Sequence, residues 1–294
     1  MFVLWHYFVF ICLFHAIFFA LSESNQGNER KRKKRREQED DDNVFGSLMD
    51  KNPPDGKQAS KGQFPFAISV QYWGFHYCSG ALVSPKWVVS SGQCFNDERD
   101  TVTGFTLVAG MVDISDPNIQ RRNLSKIIMH EKFYIDDERK LLANDIALLQ
   151  PDFEFPLNSV IRPVKLPRPR QTFKGIGTLI GWTSHRPVVI SLQYVDARLL
   201  TAKKCLQSRR NWPVDIGYAY HNKSMICAKP MYTIIPLCVG NTGSPLLHDN
   251  VLIGLSSTGA NPCKANTQKV FIGYYTKISR HYSSGVNETI TGSP

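Results

Sequence analysis

The chain has 294 residues, 42% of them hydrophobic and 20% charged, with a formal net charge of +10. This excludes a chain too short or too polar to bury a core, and suits one large globular domain or two packed subdomains. No basic stretch interleaved with aromatics is present, so nucleic acid is not the partner this charge implies.

Residues 1–22 are almost wholly apolar, and Ala20-Leu21-Ser22 supplies small residues for cleavage, the pattern of a signal peptide. About 20 apolar residues also suffice for an uncleaved anchor. The cationic run that follows would then hold the remainder on the cytoplasmic side, against what the cysteines imply. The expectation is therefore cleavage, secretion to the extracellular space, and no stable membrane insertion afterwards. Residues 23–52 form a charged segment in which Arg30–Arg36 is wholly basic and Glu37–Asp42 almost wholly acidic. Such blocks stay solvated and disordered, and the basic run offers a convertase site after Arg36.

Residues 53–294 read as the folded domain. Short strand-like runs recur between Gly, Pro, Asn and Asp: Phe66–Val70, Gly80–Val83, Trp87–Val89, Phe105–Ala109, Ile146–Leu149, Thr178–Trp182, Val251–Leu255 and Phe271–Tyr275. No long amphipathic helix and no repeat interrupts them. Regular short strands with turn punctuation predict an all-β barrel or sandwich.

Cys12 lies in the signal segment, and six cysteines remain: Cys78, Cys94, Cys205, Cys227, Cys238 and Cys263. An even number fits an oxidising compartment, and six cysteines allow fifteen pairings. No Cys-x-x-Cys or Cys/His spacing forms a zinc site, and no cofactor is implied. Sequons at Asn123, Asn222 and Asn287 mark glycosylation sites.

The charge is unevenly placed. Residues 1–52 hold eight Lys/Arg and eight Asp/Glu, residues 53–150 ten and eleven, and residues 151–294 seventeen and six, a net of +11 for the last part. So basic a half attracts sulfated glycans, membrane surfaces or acidic proteins, or is an ordinary solvated surface, the plainer reading.

Six motifs follow one another in order: Ala59–Phe66, Cys78–Val83 with Trp87–Cys94, Asn144–Leu149, Gly181-Trp182, Met225–Ala228 and Tyr275–Lys277. Between the last two lies Gly240-Asn241-Thr242-Gly243-Ser244-Pro245. Together these resemble the chymotrypsin/trypsin family of serine proteases from about Ala59 to Arg280. The resemblance implies two packed six-stranded antiparallel β-barrels with a short C-terminal helix. It also implies the disulfides Cys78–Cys94, Cys205–Cys227 and Cys238–Cys263, with a further family pair absent at both ends, near Gly177 and His248.

By the same resemblance, Asp145 stands in the catalytic-aspartate motif, Gln93 where the histidine belongs, and Thr242 where the nucleophilic serine belongs. Hydrolysis by this fold needs a hydroxyl nucleophile, an imidazole to carry its proton and a carboxylate to orient the imidazole. An amide has no pKa near neutrality and cannot be that base. His76, His130, His221 and His248 are other histidines to consider. The family's activation terminus corresponds to Pro53-Pro54-Asp55-Gly56, and the aspartate that would receive it is Asn241. Pro236 aligns with the pocket floor, and Ser257, Thr258, Gly259 and Gly273 align with the cleft walls. The resemblance thus implies a secreted, inactive homologue that acts by binding other proteins, as cofactor, decoy or scaffold. The rival expectation is a hydrolase using Thr242 with an unconventional base.

Overall fold

Short strands leave unpaired backbone at every sheet edge, and closing a sheet on itself removes those edges. The computed structural model contains two such closures. It describes residues 57–96, 101–113, 116, 119–185, 189–208, 220–221, 223–231, 241–259 and 272–281. The expected signal peptide (1–22), the charged segment (23–52) and Arg36 lie outside these residues.

In chain order, β1 (Lys57–Gln58) precedes β2 (Ala67–Tyr72), β3 (Phe75–Ser84), β4 (Trp87–Ser90), β5 (Phe105–Ala109) and β6 (Gln120–Met129). The hairpin of β7 (Tyr134–Asp136) and β8 (Leu141–Ala143) leads to β9 (Ala147–Pro151). Strands β2, β3, β4, β9, β6 and β5 pair in that order into a closed antiparallel barrel. The chain then enters β10 (Ile176–His185), β11 (Val189–Leu200), the short helix α1 (Ala202–Ser208), β12 (Met225–Pro230), β13 (Pro245–His248), β14 (Val251–Gly259) and β15 (Gly273–Lys277). These strands run β11-β10-β13-β14-β15-β12, and the ring closes where Leu200 faces Cys227 and Ala197 faces Pro230. Two six-stranded barrels result, with β1 paired onto β11 and a C-terminal helix α2 (Ile278–His281).

All the sequence-predicted strands are present, Phe105–Ala109 with the same ends and the others with an end shifted by one to five residues. Seven strands, β1, β6, β7, β8, β11, β12 and β13, were not among those predicted. β6 reads Gln-Arg-Arg-Asn-Leu-Ser-Lys for its first seven residues, of which only Leu124 is buried. It is needed to close the first barrel, because it bridges β5 and β9. β11 mixes apolar and polar residues, yet spans both β10 and β12. β13 has only four residues.

The barrels share one apolar core. Ile180, Trp182, Leu192, Leu247, Leu252, Leu255 and Ile278 pack in the same cluster as Ile68, Val70, Leu82, Val88, Leu107 and Leu149. Fully burying one such aliphatic side chain contributes about 1.5–3 kcal/mol. Disulfides join Cys78 to Cys94 and Cys205 to Cys227, with Cα separations of 6.5 and 6.2 Å. Loops of this length gain roughly 3 kcal/mol from such closure. Cys238 and Cys263 lie outside the described residues. Among those residues no helix is long and apolar enough to cross a membrane.

Candidate functional site

After β4 the chain makes one 3₁₀ turn, Gly92–Phe95. The Cys78–Cys94 disulfide ties that turn to β3. A side chain at Gly92 would meet the Phe133 ring at 2.9 Å, so the turn lies flat against its neighbour. Gln93 is thereby presented toward the junction of the barrels. Asp145 comes from the segment between β8 and β9, where Asn144 takes a positive φ of 50° and its carbonyl accepts the N–H of Ile146. That tight turn drives the Asp145 carboxyl inward, fully buried.

The carboxylate is held by four donors. Its Oδ1 accepts the backbone N–H of Gln93 at 2.7 Å. Its Oδ2 accepts the Ser91 hydroxyl at 2.6 Å, the Gln93 Nε2 amide at 2.7 Å and the Ser257 hydroxyl at 2.5 Å. The backbone carbonyl of Asp145 accepts the Thr276 hydroxyl at 2.8 Å. Ser257 lies on β14 and Thr276 on β15, so one buried carboxyl stitches both barrels together. Among the described residues no cation pairs with it. Four short hydrogen bonds are what makes burying an unpaired charge tolerable here.

The Gln93 amide is fully engaged as a donor. Besides Asp145, its Nε2 donates to the Ser257 carbonyl at 2.5 Å and to Ser91 Oγ at 3.3 Å. It bridges the carboxylate to the backbone of β14. An amide makes these hydrogen bonds without taking up a proton at neutral pH.

Thr242 is half-buried on the turn into β13. Its carbonyl accepts the Ser79 N–H at 2.8 Å, and the Gly243 N–H donates to the Ser256 carbonyl at 2.7 Å. Gly243 has a φ of +83°, and a Cβ there would sit 2.1 Å from the Ser79 carbonyl oxygen and 2.7 Å from Ser90 Oγ. Only glycine fits. Thr242-Gly243 and Gln93 are therefore held by consecutive residues on each side: Ser256 and Ser257 of β14, and Ser79 beside the Cys78 that bonds Cys94. All three sequence-predicted triad positions converge on one corner.

Asn241 is buried, and its Oδ1 accepts the Ser244 hydroxyl at 3.2 Å. A Cβ on Gly181 would fall 2.2 Å from that oxygen, so Gly181 leaves the room it occupies. The antiparallel register Thr178↔Leu247, extended by one residue, sets Gly177 opposite His248. The two positions proposed for an absent disulfide are thus neighbours. On the cleft side, Thr258 faces Tyr274 and Gly259 faces Gly273. The Tyr275 hydroxyl lies 2.7 Å from a Cβ built on Gly273. Burial pushes that phenol well above the ordinary tyrosine range.

The other histidines have partners of their own. His76 Nδ1 hydrogen-bonds Ser69 Oγ at 2.8 Å, and its ring packs on Trp182. His221 Nδ1 bonds Ser224 Oγ at 2.8 Å. His248 Nε2 donates to the Lys174 carbonyl at 2.9 Å. His130 meets His281 edge to face, with ring centroids 4.9 Å apart. Desolvation lowers the pKa of both, that of His281 to about 3. Sequence reasoning missed this pair, because 151 residues separate its members and nothing local marks them. It also left Ser91 and Thr276 without roles, although both lie inside motifs already singled out.

Asn123 is exposed on β6, where its Nδ2 donates to Asp152 at 3.2 Å. Asn222, Asn287, Pro236, Gly240 and Pro53–Gly56 lie outside the described residues.

The trypsin family model matches residues 54–284. The chain belongs to the trypsin-like serine protease family. It is 27% identical over 247 residues to kallikrein 1-related peptidase b5 of Mus musculus, covering 80% of this chain and 88% of that one. It is 29% identical over 242 residues to trypsin-1 of Astacus astacus, covering 77% and 95%. Among solved structures, human heparin binding protein superposes with a TM-score of 0.63 at 22% identity, covering 81% of this chain and 96% of that one. That last likeness is one of fold.

Proposed function

We propose that this family member does not hydrolyse peptides and acts outside the cell by binding other proteins, as cofactor, decoy or scaffold in an extracellular proteolytic, immune or reproductive pathway. The observation that carries this reading is the Gln93 amide donating to both the Asp145 carboxylate and the Ser257 carbonyl. On the family's plan that place belongs to the imidazole that accepts and returns the nucleophile's proton. An amide fills the same hydrogen bonds and cannot do the transfer. Losing one member of such a unit lowers the rate by roughly 10⁶, and a second loss adds little. The Thr242 hydroxyl would then have nothing to activate it, since His76, His221 and His248 are committed elsewhere. Asn241 in place of the activation aspartate is a second, independent support, being neutral, buried and satisfied.

Secretion follows from the leader-like N-terminus and fits two formed disulfides. Glycosylation belongs to the same reading, with Asn123 exposed to receive it. The test is turnover of a broad peptide library, and labelling by a fluorophosphonate, for wild type and Thr242→Ala. We expect silence from both. Turnover or labelling by wild type that disappears in Thr242→Ala would establish a hydrolase with an unconventional base and overturn the proposal.

A further inference from the structure

The sequence places its acids very unevenly. No Asp or Glu occurs from Phe155 to Val195, and none from Asn250 to Asn287. Folding brings these two distant stretches together. The turn Pro167-Arg168-Pro169-Arg170-Gln171 leans on α2: the Arg170 N–H donates to the Ser279 carbonyl at 2.8 Å, and the Ser279 hydroxyl donates to the Gln171 carbonyl at 2.8 Å. Ser279 is 1% exposed, so the joint is dry. Its neighbour Arg280 is exposed, as are Arg168 and Arg170. Three exposed arginines thus lie on two segments that adjoin, and none is in an ion pair among the described residues.

The turn is also rigid. Arg168 and Gln171 bond each other twice: the Gln171 N–H donates to the Arg168 carbonyl at 3.1 Å, and the Arg168 N–H to Gln171 Oε1 at 2.9 Å. Pro167 and Pro169 fix φ on either side of Arg168. Arg170 takes a φ of +58°. A backbone already ordered spends less entropy on binding. The Asp249 carboxylate lies 3.1 Å from His248 Nδ1. Glu131 pairs with Lys132. Lys174 is exposed and flanks the turn without an acid beside it in sequence.

We propose that Arg168, Arg170 and Arg280 form a docking surface for a linear sulfated polysaccharide. A guanidinium offers paired N–H donors that match two oxygens of a sulfate, and its charge does not titrate. The turn displays no exposed large hydrophobic side chain on which a base would stack, which disfavours nucleic acid. The inference does not depend on whether Thr242 is catalytic.

The experiment measures affinity of the full chain for heparin across a salt series. Arg168→Ala/Arg170→Ala/Arg280→Ala is compared with Lys57→Ala/Lys126→Ala/Lys203→Ala, a control that removes equal charge from exposed sites elsewhere. Both are repeated in full-length chains whose Arg30–Arg36 residues are changed to Gln, which isolates the leader-proximal run. We expect the arginine trio to weaken binding at least tenfold and to lower the salt slope by about three, with the lysine trio well below that. Equal loss in both trios, or loss confined to the Arg30–Arg36 variant, overturns the site. Exchange of the three arginines for lysine keeps charge and fold, and should weaken binding several-fold; unchanged affinity overturns the guanidinium argument. Hyaluronan and polyphosphate of matched charge distinguish sulfate from carboxylate and phosphate. Binding to either that equals heparin overturns the sulfated class.

Discussion

Two charged regions of this molecule solve opposite problems. At the barrel junction the Asp145 carboxylate is fully buried, no cation pairs with it among the described residues, and four neutral donors from two segments, Ser91–Gln93 and β14, hold it. Beside α2 three exposed arginines lie on adjoining segments, with no ion pair among the described residues. Among the described residues neither region has a counter-ion, yet only the first places a structural demand on the fold. Desolvation is the difference: a buried ion must find hydrogen bonds inside the protein, while an exposed one keeps its hydration shell and stays available to a ligand. Charge without a partner is architecture in one place and an interaction surface in the other.

The comparison breaks most readily at Asp145. Asp145→Ala leaves the Ser91 and Ser257 hydroxyls and the Gln93 donors without their acceptor in a dry site. A loss of about 3–5 kcal/mol is expected, read from the urea midpoint at constant slope. A loss under about 1 kcal/mol would mean that water already reaches the carboxylate, and the contrast would fail.

His281 sharpens it from the opposite sign of charge. It is buried beside His130 and Arg280, and its pKa is lowered to about 3 by desolvation first and those two groups next. A depressed folded pKa means that the unfolded chain binds the proton more readily below pH 6.5. Stability is therefore full above about pH 6.5 and falls as the pH drops toward 3, by about 2 kcal/mol at pH 5. His281→Phe should flatten this slope. An unchanged acid limb in that variant would assign the loss to other groups.

The smallest effect is expected at the arginines. Arg168→Ala/Arg170→Ala/Arg280→Ala should shift folding stability by no more than about 0.5 kcal/mol per site, because the backbone bonds at Ser279 remain. Marked destabilisation would show that these side chains are structural, and would remove the contrast from this end.

Much of this could be seen before any coordinates. Strands with runs of Val, Ile and Leu were evident because their burial leaves a local mark. β6 was not, since six of its first seven residues are polar or charged and only pairing with β5 and β9 makes it a strand. Cys78, Cys94, Gln93, Asp145 and Thr242 could be placed by motif, and they do converge. The donors around Asp145 could not, because Ser257 and Thr276 lie more than a hundred residues away and bond through geometry that no local pattern encodes.

By itself the sequence determined the all-β class, the cysteine count and the chemistry of the Gln93 side chain, all of which depend on residue type and short-range order. Tertiary structure alone decided that the Gln93 amide bridges Asp145 to the backbone of β14, that His130 meets His281, and that two acid-free stretches adjoin at Ser279. Those are contacts across long loops. Their energies come from desolvation and hydrogen-bond geometry, and both exist only once the chain has closed on itself.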